Sequence, residues 1–431
     1  MRPFQVALIA GFSVIAVLAL VIFSTYKGGG DAEENLLAGG ITIWGTLPDA
    51  AFTETIYGVT KTDTRFQAVT YVRKDAATID RELLEAIADG TPPDLLVISN
   101  ETLYSFMPRL YAIPYTSFPQ RTFKDTYIDG AEVFMRSDGV YGIPFAVDPL
   151  VLYWNRDLFA TANLTLPPTT YEDLLRTYVD RLRVAKGTDI AQAAIAFGEH
   201  VNIAAAKQLF ALFAIQAGSD MVREENGQYR VTFADQETTS QTIPGVAAAQ
   251  FFTDFANPQS VYYTWNRTLP DDVSLFSASR LAMRIGFASD YAALRARNPN
   301  LNFDVAPIPQ NASANVKRGY GTYYAFAVPR NAKNAAGSLF VAQTLAAAGA
   351  IEQMTSLLGM APAHRSVLAT LPADPVESVR YSAAIIARTW LDPKPAETNV
   401  VVREMFESII AGRAQAGSAV TNAMQRIRNL F

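Results

Sequence analysis

The sequence contains no cysteine. Disulfides, iron–sulfur clusters, thiolate zinc sites and cysteine nucleophiles are all excluded by that single absence. Histidine is almost as scarce, with only His200 and His364 in 431 residues. A histidine-based metal centre would have to recruit distant carboxylates, so no metal or other cofactor is expected. There is no basic block either: 36 lysines and arginines stand against 41 acidic residues, for a net charge of −5. Nucleic acid is not an expected partner.

The usual catalytic signatures are missing as well. The chain has no G-x-x-x-x-G-K-[ST] loop, no H-E-x-x-H, no G-x-S-x-G and no complete G-x-G-x-x-G, of which Gly319 and Gly321 supply half. Asp271 and Asp272 are adjacent and follow Pro270. Neighbouring residues on a helix point about 100° apart, so the pair reads as a helix N-cap rather than as a glycosidase dyad.

What is present is apolar surface: half of the residues are hydrophobic and only 18% are charged. Such a chain folds, and its length suits about three domains or two large lobes with separate cores. Phe4 to Phe23 forms an apolar run broken only by Gln5, Gly11 and Ser13. At about 1.5 Å per residue it covers the roughly 30 Å hydrocarbon core of a bilayer. Arg2 ahead of it also fits a cleaved signal peptide, but the run exceeds a usual signal core and Ser24 to Lys27 holds no Ala-x-Ala pattern. An uncleaved transmembrane anchor at 1–23 is the reading adopted, with the soluble part extracytoplasmic, at a cell surface or in a periplasm. Residues 24–40, rich in glycine and acid, read as a flexible linker.

Beyond the linker, Ile41–Trp44 alternates as a strand, Asp49–Tyr57 reads as a short helix and Ala68–Val72 as a second strand. Ile79, Leu83, Ala86 and Ile87 share one helix face, and Leu95–Ile98 is a continuous apolar run of the kind found in a covered strand. This βαβαβ order predicts a mainly parallel sheet with ligands beyond the carboxyl ends of its strands. Trp44–Thr46 and Ser99–Glu101 then stand on the rim of a cleft, although Trp44 also suits a packed core aromatic. Strands are expected again at Leu281–Phe287, Phe303–Ile308 and Tyr324–Val328, and helices at Ala335–Ala348, Val376–Trp390, Val400–Ala411 and Ala416–Leu430. Between strands, aromatic residues interleave with small polar ones around Tyr262–Asn266, Gly286–Tyr291 and Gly319–Tyr324. Such loops can stack sugar rings and bond their hydroxyls, and they also arise as plain packing.

The run Tyr141-Gly142-Ile143-Pro144-Phe145-Ala146-Val147-Asp148-Pro149-Leu150, continued by Tyr153-Trp154-Asn155-Arg156-Asp157-Leu158-Phe159 and by Pro167 to Leu174, resembles the bacterial extracellular solute-binding proteins of ABC importers, in the maltose-binding-protein-like family. Pro93–Leu96, Ala282–Gly286, Asn298–Phe303 and Trp390–Pro393 extend the resemblance to about residues 41–431. It implies an α/β, two-lobed periplasmic-binding-protein-like fold with a hinge and a central cleft. Lobe 1 would comprise 41–147 and about 323–375, lobe 2 148–322 and about 376–431. It also implies a non-enzymatic receptor that takes a small solute, most simply a carbohydrate, and delivers it to an ABC transporter permease. Candidate ligand contacts are Trp44, Ser99, Asn100, Asp148, Glu199, Asn202, Trp265, Asp290, Tyr320, Tyr323 and Arg365. Asp148 stands where the family often places an acidic contact at the first crossing between lobes. Gly286–Asp290 matches a ligand-facing loop that commonly carries tryptophan, which is absent here. Alternatives are a receptor for a polyamine, a phosphate ester or ferric iron, the last drawing on Tyr320, Tyr323 and Tyr324, or a membrane-anchored carbohydrate-processing enzyme.

Overall fold

The computed structural model describes residues 36–236 and 242–431. The apolar run expected to anchor the chain, at 1–23, lies outside the described residues. Among the described residues, no single helix is long and apolar enough to cross a membrane. The end of the expected linker belongs to the folded unit: Leu37 is buried, and the Leu36 carbonyl accepts a 2.7 Å bond from the Asn334 side chain.

The first lobe begins with β1 (Ile41–Gly45), whose burial alternates along the strand as its sequence does. Helix α1 (Asp49–Thr60) leads to β2 (Val69–Arg73), and α2 (Ile79–Ala88) to β3 (Leu95–Ser99). Ile79, Leu83 and Ala86 are the buried face of α2, as their spacing requires. Both β2 and β3 pair parallel with β1, and β3 is buried at every position.

The chain then enters β4 (Ile143–Asn155), a thirteen-residue strand buried throughout, which passes from one lobe to the other. Val147 packs in the first hydrophobic core and Leu150 in the second, so the crossing falls between them. The second lobe adds β5 (Asp189–Ile195), α3 (Ala206–Gln216), β6 (Leu281–Phe287), α4 (Asp290–Arg297) and β7 (Phe303–Ala306). β8 (Gly319–Ala327) returns antiparallel to β4, with Tyr320 in the second core and Tyr323 in the first. Gly319–Tyr324 is therefore strand, not the aromatic loop its composition suggests, because both faces are covered where two crossing strands lie side by side.

Helix α5 (Pro375–Ile386) stops sooner than the expected Val376–Trp390. Ala387 turns to an extended conformation and β9 (Ala387–Arg388) pairs with Gly319 and Tyr320 as a third crossing. Trp390 and Leu391 then pack in different cores, and α6 (Pro395–Ile410) carries the chain on in the second lobe. One eleven-stranded sheet, with the central order β2-β1-β3-β8-β4-β6-β5, thus runs through both lobes.

The second and third crossings meet at Asn100, which is fully buried. Its Oδ1 accepts from the Tyr323 N–H at 2.9 Å and its Nδ2 donates to the Trp390 carbonyl at 3.0 Å. Its own N–H donates to the Tyr323 carbonyl, and its carbonyl accepts from the Asp392 N–H. Asn100→Ala orphans a backbone donor and a backbone acceptor in the interior, so it should cost about 2–4 kcal/mol in chemical denaturation. A loss below about 0.5 kcal/mol would show that water replaces the amide freely.

Candidate functional site

The parallel strands β1 and β3 end toward the second lobe, and their carboxyl-terminal residues form one side of a seam between lobes. Trp44 is half-buried, with the Lys74 ammonium 3.8 Å from the centre of its ring. Ser99 is buried and its hydroxyl accepts from the Glu101 N–H at 3.2 Å. Glu101, the residue after Asn100, reaches across to the first turn of α3. There its Oε1 meets Lys207 Nζ at 3.2 Å and accepts from Gln208 Nε2 at 3.0 Å.

Lys207 is also held from behind. Its Nζ lies 2.7 Å from Oδ2 of Asp392, a fully buried carboxylate just past the third crossing. Asp392 further accepts from the Thr398 hydroxyl at 2.9 Å and from the Lys394 N–H at 3.1 Å. Burial alone would pull the Lys207 ammonium down, but Glu101 and Asp392 outweigh it and hold its pKa above the usual lysine value. Tyr320 lies close by, its hydroxyl held well above the usual range by burial, with Glu101 and Asp392 adding to the effect.

A second network positions the lobe-two side. Trp265 is fully buried, and its indole N–H donates to Asn202 Oδ1 at 2.9 Å. Asn202 Nδ2 in turn donates to the carbonyls of Asn266 and Leu269. These bonds fasten the loop that leads into α3. Asp272 accepts from the Ala204 N–H at 3.0 Å and from Arg284 Nε at 2.9 Å, and Arg284 continues to Asp290 at 3.0 Å. Arg284 explains Gly286, where a Cβ would stand 2.5 Å from the guanidinium. Asp271 caps the helix that starts at Asp272, accepting from the Ser274 N–H at 2.9 Å, as the sequence suggests.

Beside that network Asp148 sits buried at the first crossing, accepting from the N–H of Ser289 at 3.1 Å and from its hydroxyl. Gly359, of the first lobe, packs here too: a Cβ on it would be 3.2 Å from Ser289 Cα. Burial pushes the Asp148 carboxyl up to about 7, against the pull of the Ser289 bonds.

The structure thus gathers Ser99, Asn100 and Tyr320 at one end of the seam and Asp148 and Asp290 at the other. Asn202 and Trp265 stand behind the loop before α3. Glu199 is buried against Arg267 at 3.2 Å. Tyr323 donates its hydroxyl to the Ala387 carbonyl at 2.9 Å. Arg365 lies elsewhere, paired with Asp129 and with the Lys124 carbonyl. Asp129 and Arg388 belong to the lining of a cavity of about 380 Å³ that reaches Ile215 and Ser219 at the far end of α3, and none of the eleven candidates lines it. The partners of Lys207, Gln208 and Asp392 are remote in the chain, and a lysine between Ala206 and Gln208 at the head of an apolar helix was the one signal in the sequence. Among the described residues, no group of three or more histidines and carboxylates could hold a metal.

A family model described as bacterial extracellular solute-binding protein matches residues 50–379. Putative binding proteins of Brucella abortus (strain 2308) and Brucella suis biovar 1 are 32% identical over 98 residues, 22% of this chain, and the match spans only 23% of their length. Among solved structures, a cyclo/maltodextrin-binding protein complexed with maltotetraose has a TM-score of 0.72 at 15% identity, covering 94% of this chain and 98% of its own. The sugar-binding protein MalE from Xanthomonas citri has a TM-score of 0.70 at 17% identity, covering 91% and 97%. The GacH receptor of Streptomyces glaucescens, solved unliganded and with acarbose, has a TM-score of 0.66 at 18% identity, covering 91% and 98%.

The raised pKa of Asp148 makes a pH-dependent prediction. The folded protein keeps this proton to about pH 7, whereas the unfolded chain releases it near the ordinary aspartate value of 3.8. Between those values the native state binds more protons, so stability falls as pH rises and stays at the lower level above about pH 7. Relative to Asp148→Asn, the wild type should lose up to about 4 kcal/mol between about pH 4 and pH 8. Paired denaturation curves across that range check it, and a pH-independent difference would mean an ordinary carboxylate.

Proposed function

The chain belongs to the bacterial extracellular solute-binding proteins, and from that premise we propose that it is an extracytoplasmic receptor that captures a carbohydrate between its lobes and delivers it to an ABC transporter permease. One observation carries the choice of ligand. The carboxylates along the seam face cations inside the protein: Glu101 and Asp392 share Lys207, Asp290 faces Arg284, Glu199 faces Arg267, and burial raises the Asp148 carboxyl to about 7. Along that seam a polyamine would compete with the cations these carboxylates already face, and a phosphate ester with the carboxylates those cations already face. A neutral polyhydroxyl ligand both donates and accepts, and suits such a surface.

The fold neighbours support the same class, since their ligands include maltotetraose, acarbose and mannotriose. Their identity of 14–18% leaves the particular sugar open. The permease role follows the family, as does hinge closure around the solute. The apolar run at Phe4–Phe23 would keep the receptor at the membrane where its permease stands. The family is one of binding proteins, so the ligand is expected to leave unchanged.

A thermal-shift screen of the full chain with maltotetraose, mannotriose, spermidine, glycerol phosphate and ferric citrate tests the proposal. A bound sugar at 100 times its Kd stabilises the native state by about 2.7 kcal/mol and raises the melting temperature. Stabilisation by spermidine, glycerol phosphate or ferric citrate alone would overturn the carbohydrate reading.

A further inference from the structure

We propose that the cavity beside the third crossing is a second binding site, which takes a small organic acid with two oxyanion groups, one received by Arg136 and the other by Arg318. The site lies outside the seam and does not rest on the reading of the chain as a sugar receptor.

The cavity measures about 380 Å³, within the range of small-molecule sites. Both lobes build it. The first supplies the turn Asp129–Phe134 and, just after it, Arg136. The second supplies the far end of α3, Arg318 ahead of β8, and the antiparallel hairpin of Val222–Glu225 and Gln228–Val231. The third crossing runs between these walls through Arg388 and Thr389, and neither Glu101, Lys207 nor Asp148 lines the space.

Arg136 keeps only 11% of its side chain exposed. Its Nη1 donates to the Met135 carbonyl at 2.8 Å and its Nη2 to the Val133 carbonyl, while Nε has no hydrogen-bond partner among the described residues. Glu224, on the other lobe, is the carboxylate that comes within ion-pair reach, at 3.9 Å, which is too long for a hydrogen bond. The Tyr229 ring lies 5.7 Å from the guanidinium carbon. Burial works against the charge of Arg136, with Tyr229 and Glu224 opposing it. A buried cation is normally paired and hydrogen-bonded, so this one has room for an acceptor that the protein does not provide.

Arg318 repeats the pattern from the second lobe. Its Nη1 donates to the Ile215 carbonyl at 3.2 Å, and it forms no ion pair among the described residues. The other carboxylates of the lining are engaged: Asp129 with Arg365 and Arg388, Glu132 with Lys124, and Asp220 with Arg223. Two guanidiniums, one from each lobe, are therefore left to attract an anion. Each presents the planar fork that takes a carboxylate or phosphate through paired N–H bonds. A single small oxyanion would satisfy one arginine, whereas an acid with two such groups meets both and lays its carbon chain against Val133, Val222 and Tyr229, which also line the cavity. A cationic solute would face four arginines there, and a neutral one would leave Arg136 and Arg318 as they are.

Arg318→Gln is the discriminating variant, because Arg318 is half-buried and its tie to Gln310 runs through backbone N–H and carbonyl, which the substitution keeps. Melting curves and titration calorimetry of the full-length protein compare succinate and citrate with acetate, and with sodium chloride at matched ionic strength. Succinate or citrate should raise the melting temperature above the chloride control, and acetate should bind at least roughly 10-fold more weakly. Arg318→Gln should weaken the acid that binds wild type by roughly 10- to 150-fold, as expected for bonds to a charged group. Arg136→Lys, which keeps the charge and loses the fork, should weaken it as well; should that variant fail to fold, Arg318→Gln decides alone. The site is overturned if neither acid stabilises wild type beyond chloride, or if Arg318→Gln binds the acid as wild type does. Acetate binding as tightly as succinate would reject the two-headed ligand.

Discussion

The arrangement depends on one side chain amide. Asn100 spends both ends of its carboxamide and both of its backbone groups on the second and third crossings, so the end of β3, the middle of β8 and the segment after β9 share one point. Every polar group of Asn100 already has at least one partner within the protein. What Asn100 contributes is registration, because it sets where Glu101 emerges and where Asp392 turns back into the second lobe. In the proposed closure the lobes pivot on this knot while the flanking residues move. The neighbours of Asn100 in sequence, Ser99 and Glu101, are the ones with freedom to act.

Around that pivot the chain buries charge. Lys207 with Asp392, and Arg284 with Asp272, are ion pairs almost without solvent contact. Taking such groups out of water is costly, and their attraction recovers that cost only when further hydrogen bonds complete the geometry. Here the completion is visible: Thr398 and Lys394 serve Asp392, and the Ala204 N–H serves Asp272. The networks therefore act less as stabilisers than as positioning devices. One fixes the ammonium at the head of α3, and the other fixes the loop Gly286–Asp290 against Asp148. The two flank the same seam from the side of the second lobe, which is why a ligand lying along it would meet fixed partners.

Local pattern made the first lobe readable. Alternation at Ile41–Gly45, the four-residue spacing in Ile79–Ala88 and the apolar run at Leu95–Ser99 each correspond to an element within a residue or two. β6 spans Leu281–Phe287, as its composition indicates. The crossings were harder. Gly319–Tyr324 looks like a loop because glycine and tyrosine alternate, and only the antiparallel partner β4 explains why glycine is wanted at Gly321, in contact with Val147 and Asp148. Trp265 reads as a stacking aromatic, yet it has no exposed surface and its indole N–H serves a structural loop. Glu101 and Gln208 are 107 positions apart, and Lys207 and Asp392 185. No periodicity connects such pairs, so the chemistry of the seam emerges only when the lobes are assembled.

The central claim is that the solute lies along the seam between Glu101 and Lys207 at one end and Asp148 and Ser289 at the other. Hydrogen–deuterium exchange of the full chain, with and without saturating maltotetraose, tests it most directly, because amide protection reports which backbone closes around the ligand. The account predicts that protection rises in the segments around residues 99–104, 204–208 and 286–290 together. Protection confined to the cavity lining at 129–136 and 219–229, with those three segments unchanged, would contradict it.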